Sequence, residues 1–598
     1  MRVDNLLDVN RREFHLIVQS RQDVLFPLSS PKPLASVHQI MKPLLILTSA
    51  LLITSAFTAE PEIPNDEFFK VETLATDLAD AMEIAVAPNG QVFIAERTGA
   101  LKCYYPDSNE TKVIRKFDVS VRHKKGNKTV SRETGLLGVT LDPNFDSNGW
   151  IYLYYSPKSP SEHRLVRMTL KNNKLTNEKV LLNVPQSRED EVCHEGGSLA
   201  FDNEGNLFLS TGDNSDPFSA KGYAPLDERK GHEHINSQRS AGNTNDLRGK
   251  ILRITPTEDG SYTIPEGNLF GLNQPDTRPE IFVMGCRNPW RIGVDQHTGT
   301  VYWGDVGPDA REANKRGPAG LCEINQAREA GNYGWPYFLG DNQPYRQFNF
   351  ETGKAGSKFI ANRPHNRSRL NTGLEYLPPA QHPLWSVRRS CYCAATVYYY
   401  DDYPISESKL PKELDRCLIT YDWNNGQMQL TKLDSNEKME WKADWLHTKK
   451  LIHPGDVEIG VDGSMYVLEY SSKWYGGTDG KLKRVTFTNE RQTTEGIKED
   501  PRLAGLDAKH PGYKLLSEAI CLSCHQTQVT SIGPSYVDVA AKYRGDNNAT
   551  EYLVEKISKG GGGVWGEIPM PPHPQYNEEQ ISQMVDAIMS LAPEEHKK

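Results

Sequence analysis

The feature that most restricts the fold is a turn followed by a short β-rich run, which recurs along the middle of the chain. Between residues 66 and 487, turns that contain Gly precede most of these runs of aromatic and branched side chains. The runs lie at residues 92–95, 151–154, 207–210, 301–303, 418–421 and 465–468. Such repetition is typical of a β-propeller, in which each run is one strand of a four-stranded blade. The pattern predicts an all-β six-bladed propeller, and unrelated hairpins of a β-sandwich are the alternative.

A Cys-X-X-Cys-His motif near the C-terminus is formed by Cys521, Cys524 and His525. Its two thiols suit thioether bonds to the vinyl groups of a haem, and the imidazole suits an axial position on the iron. Half of a zinc site and a redox-active Cys pair are the alternatives. Zinc would need two more ligands, and no other Cys occurs from residue 495 onward. The motif therefore predicts a covalently bound haem c.

Met570 is the candidate for the second axial ligand of that iron. It lies between Pro569 and Pro571, and the fixed φ of proline presents the thioether from a rigid, extended backbone. A His/Met ligand pair raises the iron potential, which suits electron transfer rather than oxygen binding.

The tail over residues 509–598 resembles the small bacterial class I cytochromes c. Besides the haem motif, the matching stretches are residues 533–534 (Gly-Pro), 559–566 (Lys-Gly-Gly-Gly-Gly-Val-Trp-Gly) and 568–572 (Ile-Pro-Met-Pro-Pro). The resemblance implies that the carbonyl of Pro534 orients the ring of His525. Asn577 and Gln580 predict a capping box. The helix that follows has an apolar stripe of Ile581, Met584, Val585 and Ile588. We expect a small all-α cytochrome domain here.

Charge and hydropathy restrict the partners and the location. The net charge of −9, with 25% charged residues and no basic stripe, argues against nucleic-acid binding. Residues 41–59 have a Lys near the start, an apolar centre and small residues near the end, as an export signal does. We expect translation to begin at Met41, so that residues 1–40 are a misassigned extension. The mature protein is then periplasmic or otherwise exported and meets the membrane only through its signal.

Residues 66–487 resemble the glucose/sorbosone (aldose sugar) dehydrogenases that use pyrroloquinoline quinone (PQQ), a family of six-bladed propellers. The matching stretches are residues 135–139 (Gly-Leu-Leu-Gly-Val), 142–145 (Asp-Pro-Asn-Phe), 194–201 (His-Glu-Gly-Gly-Ser-Leu-Ala-Phe), 212–213 (Gly-Asp), 248–254 (Arg-Gly-Lys-Ile-Leu-Arg-Ile), 285–289 (Gly-Cys-Arg-Asn-Pro), 307–308 (Gly-Pro), 323–325 (Glu-Ile-Asn) and 331–336 (Gly-Asn-Tyr-Gly-Trp-Pro). Several independent motifs occur in the order of the family. The resemblance implies PQQ, Ca²⁺ and oxidation of a sugar.

The resemblance also implies roles for individual residues. His194 takes the proton of the substrate hydroxyl, a role that suits a neutral imidazole. Arg287 polarises a quinone oxygen, Asn288 binds another edge of the cofactor, and Asp213 lies near the floor of the site.

Two calcium sites are implied in the same way. The main-chain carbonyls of Gly307 and Pro308 match ligands of the Ca²⁺ that bridges to PQQ, and carbonyl oxygens suit this hard cation. Glu323 and Tyr333 match a second, structural Ca²⁺ site.

Several positions depart from the family pattern around the cofactor. Glu133 stands where an amide is usual, and Cys193 replaces an acidic residue before His194. Residues 424–425 (Asn-Asn) and 453–455 (His-Pro-Gly) stand where the family has Lys and Arg. PQQ carries three carboxylates, so each lost cation removes charge-assisted hydrogen bonds of about 1.5–3 kcal/mol. Arg388 and Arg389 are candidate substitutes.

The cysteines outside the haem motif bear on the same loops. Cys193 precedes His194 and Cys286 precedes Arg287. If the two loops converge, a disulfide between these cysteines would hold them together, and two separate buried thiols are the alternative. In an oxidising compartment we expect some of the seven cysteines to pair.

These features together predict an exported, quinohaemoprotein-type dehydrogenase of a sugar or related alcohol. Its electrons would leave through the haem to a downstream cytochrome or oxidase. Residues 488–508, which are rich in charge, would form a linker that keeps the haem domain near the propeller. One alternative is a PQQ-less propeller that binds carbohydrate or protein and carries an electron-transfer cytochrome. A purely structural propeller is a second alternative, which the haem motif opposes.

Overall fold

The computed structural model describes residues 63–591 except residues 126, 189–191, 389, 450, 489–500, 531, 566–569 and 574. The expected extension at residues 1–40 and export signal at residues 41–59 lie outside these residues. So do Arg389, Pro569 and most of the expected linker, residues 489–500. None of the helices in the described part of the chain is long and apolar enough to cross a bilayer.

The middle of the chain is a six-bladed β-propeller, which confirms the expected fold. It begins with strand β1 (Phe69–Leu78). The strands of blade 1 are β2 (Ala81–Val86), β3 (Val92–Glu96), β4 (Ala100–Tyr105) and β5 (Glu110–Lys116). A hairpin of β6 (Arg122–Lys125) and β7 (Lys128–Ser131) leads to blade 2. Blade 2 contains β8 (Leu136–Leu141), the one-turn helix α1 (Phe145–Asn148), β9 (Trp150–Tyr155), β10 (Glu162–Lys171) and β11 (Lys174–Pro185).

Blades 3 and 4 carry the longest loops. Blade 3 contains β12 (Gly196–Phe201), β13 (Leu207–Thr211), β14 (Lys250–Pro256), β15 (Tyr262–Thr263) and β16 (Ile281–Met284). Blade 4 contains β17 (Pro289–Val294), β18 (Val301–Asp305), β19 (Leu321–Ala327) and the outer strand β25 (Trp385–Arg388). Between β19 and β25 lie five short strands: β20 (Gly331–Asn332), β21 (Phe338–Leu339), β22 (Gln343–Pro344), β23 (Arg346–Asn349) and β24 (Lys354–Lys358).

The ring closes between the two ends of the propeller sequence. Blade 5 contains β26 (Tyr392–Tyr398), β27 (Cys417–Asp422), β28 (Gln427–Leu433) and β29 (Met439–Trp445). Blade 6 contains β30 (Pro454–Ile459), β31 (Met465–Glu469) and β32 (Gly480–Phe487). Its fourth strand is β1, which pairs antiparallel with β32 in a register that places Phe69 opposite Phe487. Because the first strand completes the last blade, the ring is closed by backbone hydrogen bonds.

Each of the six runs singled out in the sequence is the second strand of its blade, namely β3, β9, β13, β18, β27 or β31. Every residue of β3, β13, β18, β27 and β31 is buried. A strand covered on both faces carries a continuous apolar run instead of an alternating one. This burial explains why the second strands are the ones that the sequence makes visible.

The connections around these strands position the functional site. In blade 3 the first strand, β12, pairs antiparallel with β13, so that Gly196 lies opposite Thr211. The start of a first strand and the end of a second strand therefore meet at the same rim of the propeller. Loops that precede first strands and loops that follow second strands gather at this rim.

The C-terminal region is a small helical domain, as expected. Its helices are α2 (Pro511–Glu518), α3 (Tyr536–Tyr543), α4 (Ala549–Lys559) and α5 (Glu578–Met589). The predicted capping box is present: Gln580 N donates to Asn577 Oδ1 at 2.9 Å, and Asn577 N donates to Gln580 Oε1 at 3.0 Å. The predicted stripe on α5 is buried, and its members are Ile581, Met584, Val585 and Ile588.

Candidate functional site

A single cavity of about 870 Å³ is lined by both the propeller rim and the helical domain. His194, Arg287 and Trp423 line it on the propeller side, and His525 and Met570 line it on the helical side. Cofactor sites typically occupy about 300–1,000 Å³. The arrangement therefore brings the two groups of candidate residues, which are far apart in sequence, to one enclosed space.

The helical side of the cavity is built around the Cys-X-X-Cys-His motif. A short 3-10 turn (Ile520–Ser523) carries the first thiol, and His525 N donates to Cys521 O at 2.9 Å. His525 Nδ1 donates to the carbonyl of Pro534 at 2.8 Å, as the sequence implied, so Nε2 is left for a metal. A Cβ on Gly533 would lie 2.4 Å from the His525 ring, so only glycine permits this approach.

The rest of this side fits a haem. Met570 is held by two backbone hydrogen bonds with Gly561, at 2.7 and 3.0 Å, which fix the strand that carries the thioether. Burial lowers the pKa of His525, although the bond to Pro534 opposes the shift, and this direction favours the neutral imidazole that binds a metal. The surrounding wall is apolar and aromatic, and includes Leu516, Val539, Tyr543, Trp565 and Ile588.

On the propeller side, His194 and Asp213 form a buried pair. His194 Nδ1 lies 2.7 Å from Asp213 Oδ1, which also accepts from Ser215 Oγ at 2.8 Å. Asp213 Oδ2 accepts from Ser237 Oγ at 2.6 Å and from Trp335 Nε1 at 2.7 Å. Burial alone would raise the pKa of Asp213, but His194 and these donors outweigh it and lower the pKa to about 2. The ionised carboxylate holds the proton on Nδ1, so Nε2 can accept one.

The loop that carries His194 is itself anchored. His194 has a φ of +67°, which is uncommon outside glycine and is frequent at functional sites. Its N–H donates to Glu133 Oε2 at 3.0 Å, and the N–H of Glu195 donates to the same oxygen at 3.2 Å. Glu133 lines the cavity as expected. Its carboxylate, however, holds the His194 loop, a role that the sequence did not suggest.

Arg287 and Asn288 are held together by one buried carboxylate. The N–H groups of both donate to Asp305, at 2.9 and 2.7 Å, and Arg287 Nη1 donates to Val306 O at 2.7 Å. Burial raises the pKa of Asp305 to about 6, although the two N–H groups oppose the shift. Asn288 Oδ1 accepts from Gly196 N at 3.1 Å, so its amide links the two loops as well as lining the cavity.

The expected calcium ligands fall into two groups. Gly307 and Pro308 line the cavity beside Arg287, whereas Glu323 and Tyr333 lie outside it. Burial and repulsion from Asp305 raise the pKa of Glu323 to about 8. Within the described part of the chain, no three His, Cys, Asp or Glu side chains are grouped so as to hold a metal. The site at Glu323 and Tyr333 therefore stays a prediction, without an acidic cluster around it.

Two arginine side chains line the cavity that were not predicted from the sequence. Arg97 and Arg132 line it together with Arg287 and Arg388. Arg388 was expected to replace one of the missing cations of the family. Arg97 lies 2.5 Å from the buried carboxylate of Asp80. The position of Arg97 in the sequence could have indicated its place at the cavity, because it directly follows the second strand of blade 1 and so lies at the same rim as Asp213.

The disulfide expected between Cys193 and Cys286 is wrong. None of the nine cysteines, all of which lie in the described part of the chain, forms a disulfide. Cys193 lines the cavity, whereas Cys286 is fully buried in an apolar cluster with Phe208 and Trp303. The two side chains occupy different surroundings although their loops are neighbours, so the alternative of separate thiols holds. The general expectation of paired cysteines is also wrong.

Two family models match the chain. Residues 78–364 match glucose/sorbosone dehydrogenase, and residues 510–592 match cytochrome c. The aldose sugar dehydrogenase YliI of Escherichia coli is 26% identical over 48% of this chain and 66% of its own length. Cytochrome c-552 of Hydrogenobacter thermophilus is 41% identical over 13% of this chain and 79% of its own length. The chain spans 59% of the length of the uncharacterized protein slr1608 of Synechocystis, to which it is 29% identical, and 66% of the length of YliI.

Among solved structures, the chain is similar to the PQQ-bound form of an aldose sugar dehydrogenase from Streptomyces coelicolor. The identity is 18% and the TM-score 0.46, over 70% of this chain and 98% of that one.

Proposed function

Because this chain joins a glucose/sorbosone dehydrogenase propeller domain to a C-terminal cytochrome c domain, we propose that it oxidises a sugar or related alcohol and passes the electrons to its own haem. The observation that carries the proposal is the shared cavity. Its wall includes a proton acceptor, His194, and the haem-binding residues Cys524 and His525. The E. coli relative YliI is an aldose sugar dehydrogenase, which supports a sugar as the substrate.

In this function His194 is the general base. Its Nε2 takes the proton of the substrate hydroxyl, because Asp213 accepts a hydrogen bond from Nδ1–H and stabilises the imidazolium that forms. The five donors to Asp213, including His194, keep its carboxylate ionised and fixed. A base positioned in this way typically contributes about 10²–10⁴ in rate.

The propeller side also fits PQQ, which would supply a two-electron acceptor. Arg132, Arg287 and Arg388 line the cavity and would offset part of the charge of three carboxylates, whereas Arg97 is already paired with Asp80. The carbonyl oxygens of Gly307 and Pro308 would hold the Ca²⁺. One observation favours a PQQ-less binding propeller as a second candidate: Asn424 lines the cavity where the family has a Lys.

We also propose that the protein works outside the cytoplasm. The export signal expected at residues 41–59 and the covalent haem motif support this location. The electron acceptor would then be a cytochrome or oxidase of the same compartment.

The proposed function is tested with the haem-loaded full-length chain, incubated with PQQ and Ca²⁺ and then with a panel of aldoses. A phenazine dye reports oxidation of the sugar, and the haem absorption band reports electrons that reach the iron. We expect at least one aldose to reduce both, and neither to be reduced when PQQ is omitted. If PQQ fails to bind in equilibrium dialysis and no aldose reduces dye or haem, the PQQ-less binding propeller replaces this proposal.

A further inference from the structure

The loop between β31 and β32, residues 470–479, makes a hydrogen bond with the cytochrome domain. Gln526, which directly follows the haem-binding His525, donates a hydrogen bond from Nε2 to the carbonyl of Ser472. Three aromatic residues of the same loop, Tyr470, Trp474 and Tyr475, line the shared cavity. The loop therefore contacts the haem-binding motif and the propeller site at once.

Hydrogen bonds within the propeller hold this loop in place without any contribution from the cytochrome domain. Tyr470 Oη donates to Trp474 O at 2.8 Å, which closes the first half of the loop. The N–H groups of Gly476 and Gly477 each donate to the buried carboxylate of Asp80 at 2.9 Å, which fixes the second half. A loop tied at both halves presents its aromatic side chains with little loss of conformational freedom.

The aromatic side chains of the loop continue a wall that begins inside the propeller. Trp423 stacks on His453 with ring centroids 4.3 Å apart, and meets Trp474 edge to face at 4.9 Å. Arg97 lies over the ring of Tyr475, 4.7 Å from its centroid. Trp474 thus extends the ordered interior of the propeller side towards the cytochrome domain, and it remains 36% exposed.

We propose that residues 470–479 are the docking element for the cytochrome domain of the same chain, and that Trp474 is a positioning residue that excludes water between the propeller site and the haem-binding motif. Its kinetic consequence rests on the proposed function. Each sugar oxidised to a carbonyl compound releases two electrons and two protons, the first proton passing to His194 and both finally to water. A haem held by Cys521, Cys524 and His525 would supply one-electron transfer, so each sugar would require two transfers to it, with an external one-electron acceptor taking up an electron between them.

The first test needs no turnover, because it measures the midpoint potential of the haem in an optical redox titration. Ferric iron carries one more positive charge than ferrous iron, so water that enters near it favours the ferric state. We expect Trp474→Ala to lower the potential and Trp474→Phe to leave it close to that of the unchanged protein. Trp441→Ala, on β29 and outside the cavity, is the matched control and should not change the potential.

The second test separates this inference from the proposed function. In Trp474→Ala and in Gln526→Ala, sugar-driven reduction of the haem should slow by roughly tenfold, a barrier increase of about 1.4 kcal/mol. Turnover of Gln526→Ala with the phenazine dye, which takes electrons directly from the propeller site, should stay close to that of the unchanged protein, because Gln526 does not line the cavity. Trp474→Phe should restore rapid haem reduction.

Two outcomes overturn the inference while the proposed function stands. One is an unchanged haem potential in Trp474→Ala, and the other is unchanged haem reduction in both variants while dye turnover is normal. If the unchanged protein gives no dye turnover with any sugar, the proposed function fails instead. The haem potential still tests whether Trp474 excludes water. If Trp474→Ala does not fold, the rate of haem reduction in Gln526→Ala still tests the docking role of the loop.

Discussion

The two sides of the shared cavity are held in different ways. On the propeller side, Asp213 alone accepts five hydrogen bonds, and His194, Glu133, Arg287 and Asn288 are tied to one another through side chains and backbone. On the cytochrome side, most of the wall is apolar or aromatic, and the ring of His525 is oriented by a hydrogen bond to the carbonyl of Pro534.

The proposed function explains this difference. Transfer of a proton depends on the direction and the protonation state of one ring nitrogen, so its neighbours must be fixed by hydrogen bonds. A one-electron carrier needs a cofactor that is held firmly and kept dry, and thioether bonds with apolar packing achieve this. Disturbing one side should therefore leave the other side able to work, and the following predictions use that separation.

The largest expected effect is the loss of the haem itself. Replacing both Cys521 and Cys524 with Ala removes the two thioether bonds, so haem staining of the denatured protein should disappear completely. Oxidation of sugar with the dye should persist in the same protein. Cys417→Ala, at a buried thiol of blade 5, is the control that should keep the haem. A haem that survives denaturation in the double variant would contradict the assignment.

The next largest effect is expected at His194. Asn tolerates the positive φ of this position, so His194→Asn removes the base without adding backbone strain. Dye turnover should fall by about 10²–10⁴ while the haem content is unchanged. His297→Asn is the control, because this exposed histidine also pairs with a carboxylate, Asp402 at 2.8 Å, but lies outside the cavity. Full turnover by His194→Asn would remove its assigned role.

Asp213→Asn should show both an activity effect and a stability effect. The amide no longer holds the proton on Nδ1, so dye turnover should fall by about tenfold or more. In the folded protein the pKa of Asp213 is lowered from 3.8 to about 2. The carboxylate therefore contributes about 2 kcal/mol of stability above pH 4, which is lost as the pH falls towards 2.

Urea unfolding of the unchanged protein and of Asp213→Asn, at pH about 5 and about 2.5, measures this contribution. The variant should lose less stability between the two pH values. An equal loss in both proteins would show that the Asp213 carboxylate is not the group that titrates.

The smallest effect concerns the capping box of α5, on the cytochrome side. Asn577→Ala should lower the free energy of unfolding of the helical domain by about 1 kcal/mol, because N–H groups at the helix start lose their acceptor. Asn548 begins α4 without a side-chain cap, so Asn548→Ala is a matched control with little expected effect. Thermal unfolding followed at the haem band measures both, and equal shifts would contradict the assigned role of the cap.

The cytochrome side and the propeller side also differ in how far the sequence predicts them. The haem site is visible because thioether chemistry requires Cys521, Cys524 and His525 to be adjacent in the chain. The propeller is visible because its second strands, such as β13 and β31, are buried on both faces and appear as apolar runs. His194, Arg287 and Gly307 were named through a family resemblance, and the structure brings them to one cavity.

The remaining features depend on which loops meet when the ring closes. Arg97 and Trp474 both follow second strands, of blades 1 and 6, so their rim could be inferred from the sequence. That they line one cavity depends on closure of the ring between these two blades. The bond from the His194 backbone to Glu133 likewise joins distant loops. The error at Cys193 and Cys286 has a related cause, because a disulfide depends on the direction of two side chains and not on the nearness of two loops.

The central claim is that the electrons of the sugar reach the haem of the same chain through one shared cavity. The most direct measurement is the rate of haem reduction after rapid mixing of PQQ-loaded protein with excess sugar, repeated over a dilution series of the protein. Transfer within one chain predicts a rate constant that does not change with protein concentration. A rate constant that falls in proportion to dilution would show transfer between molecules and would contradict the account.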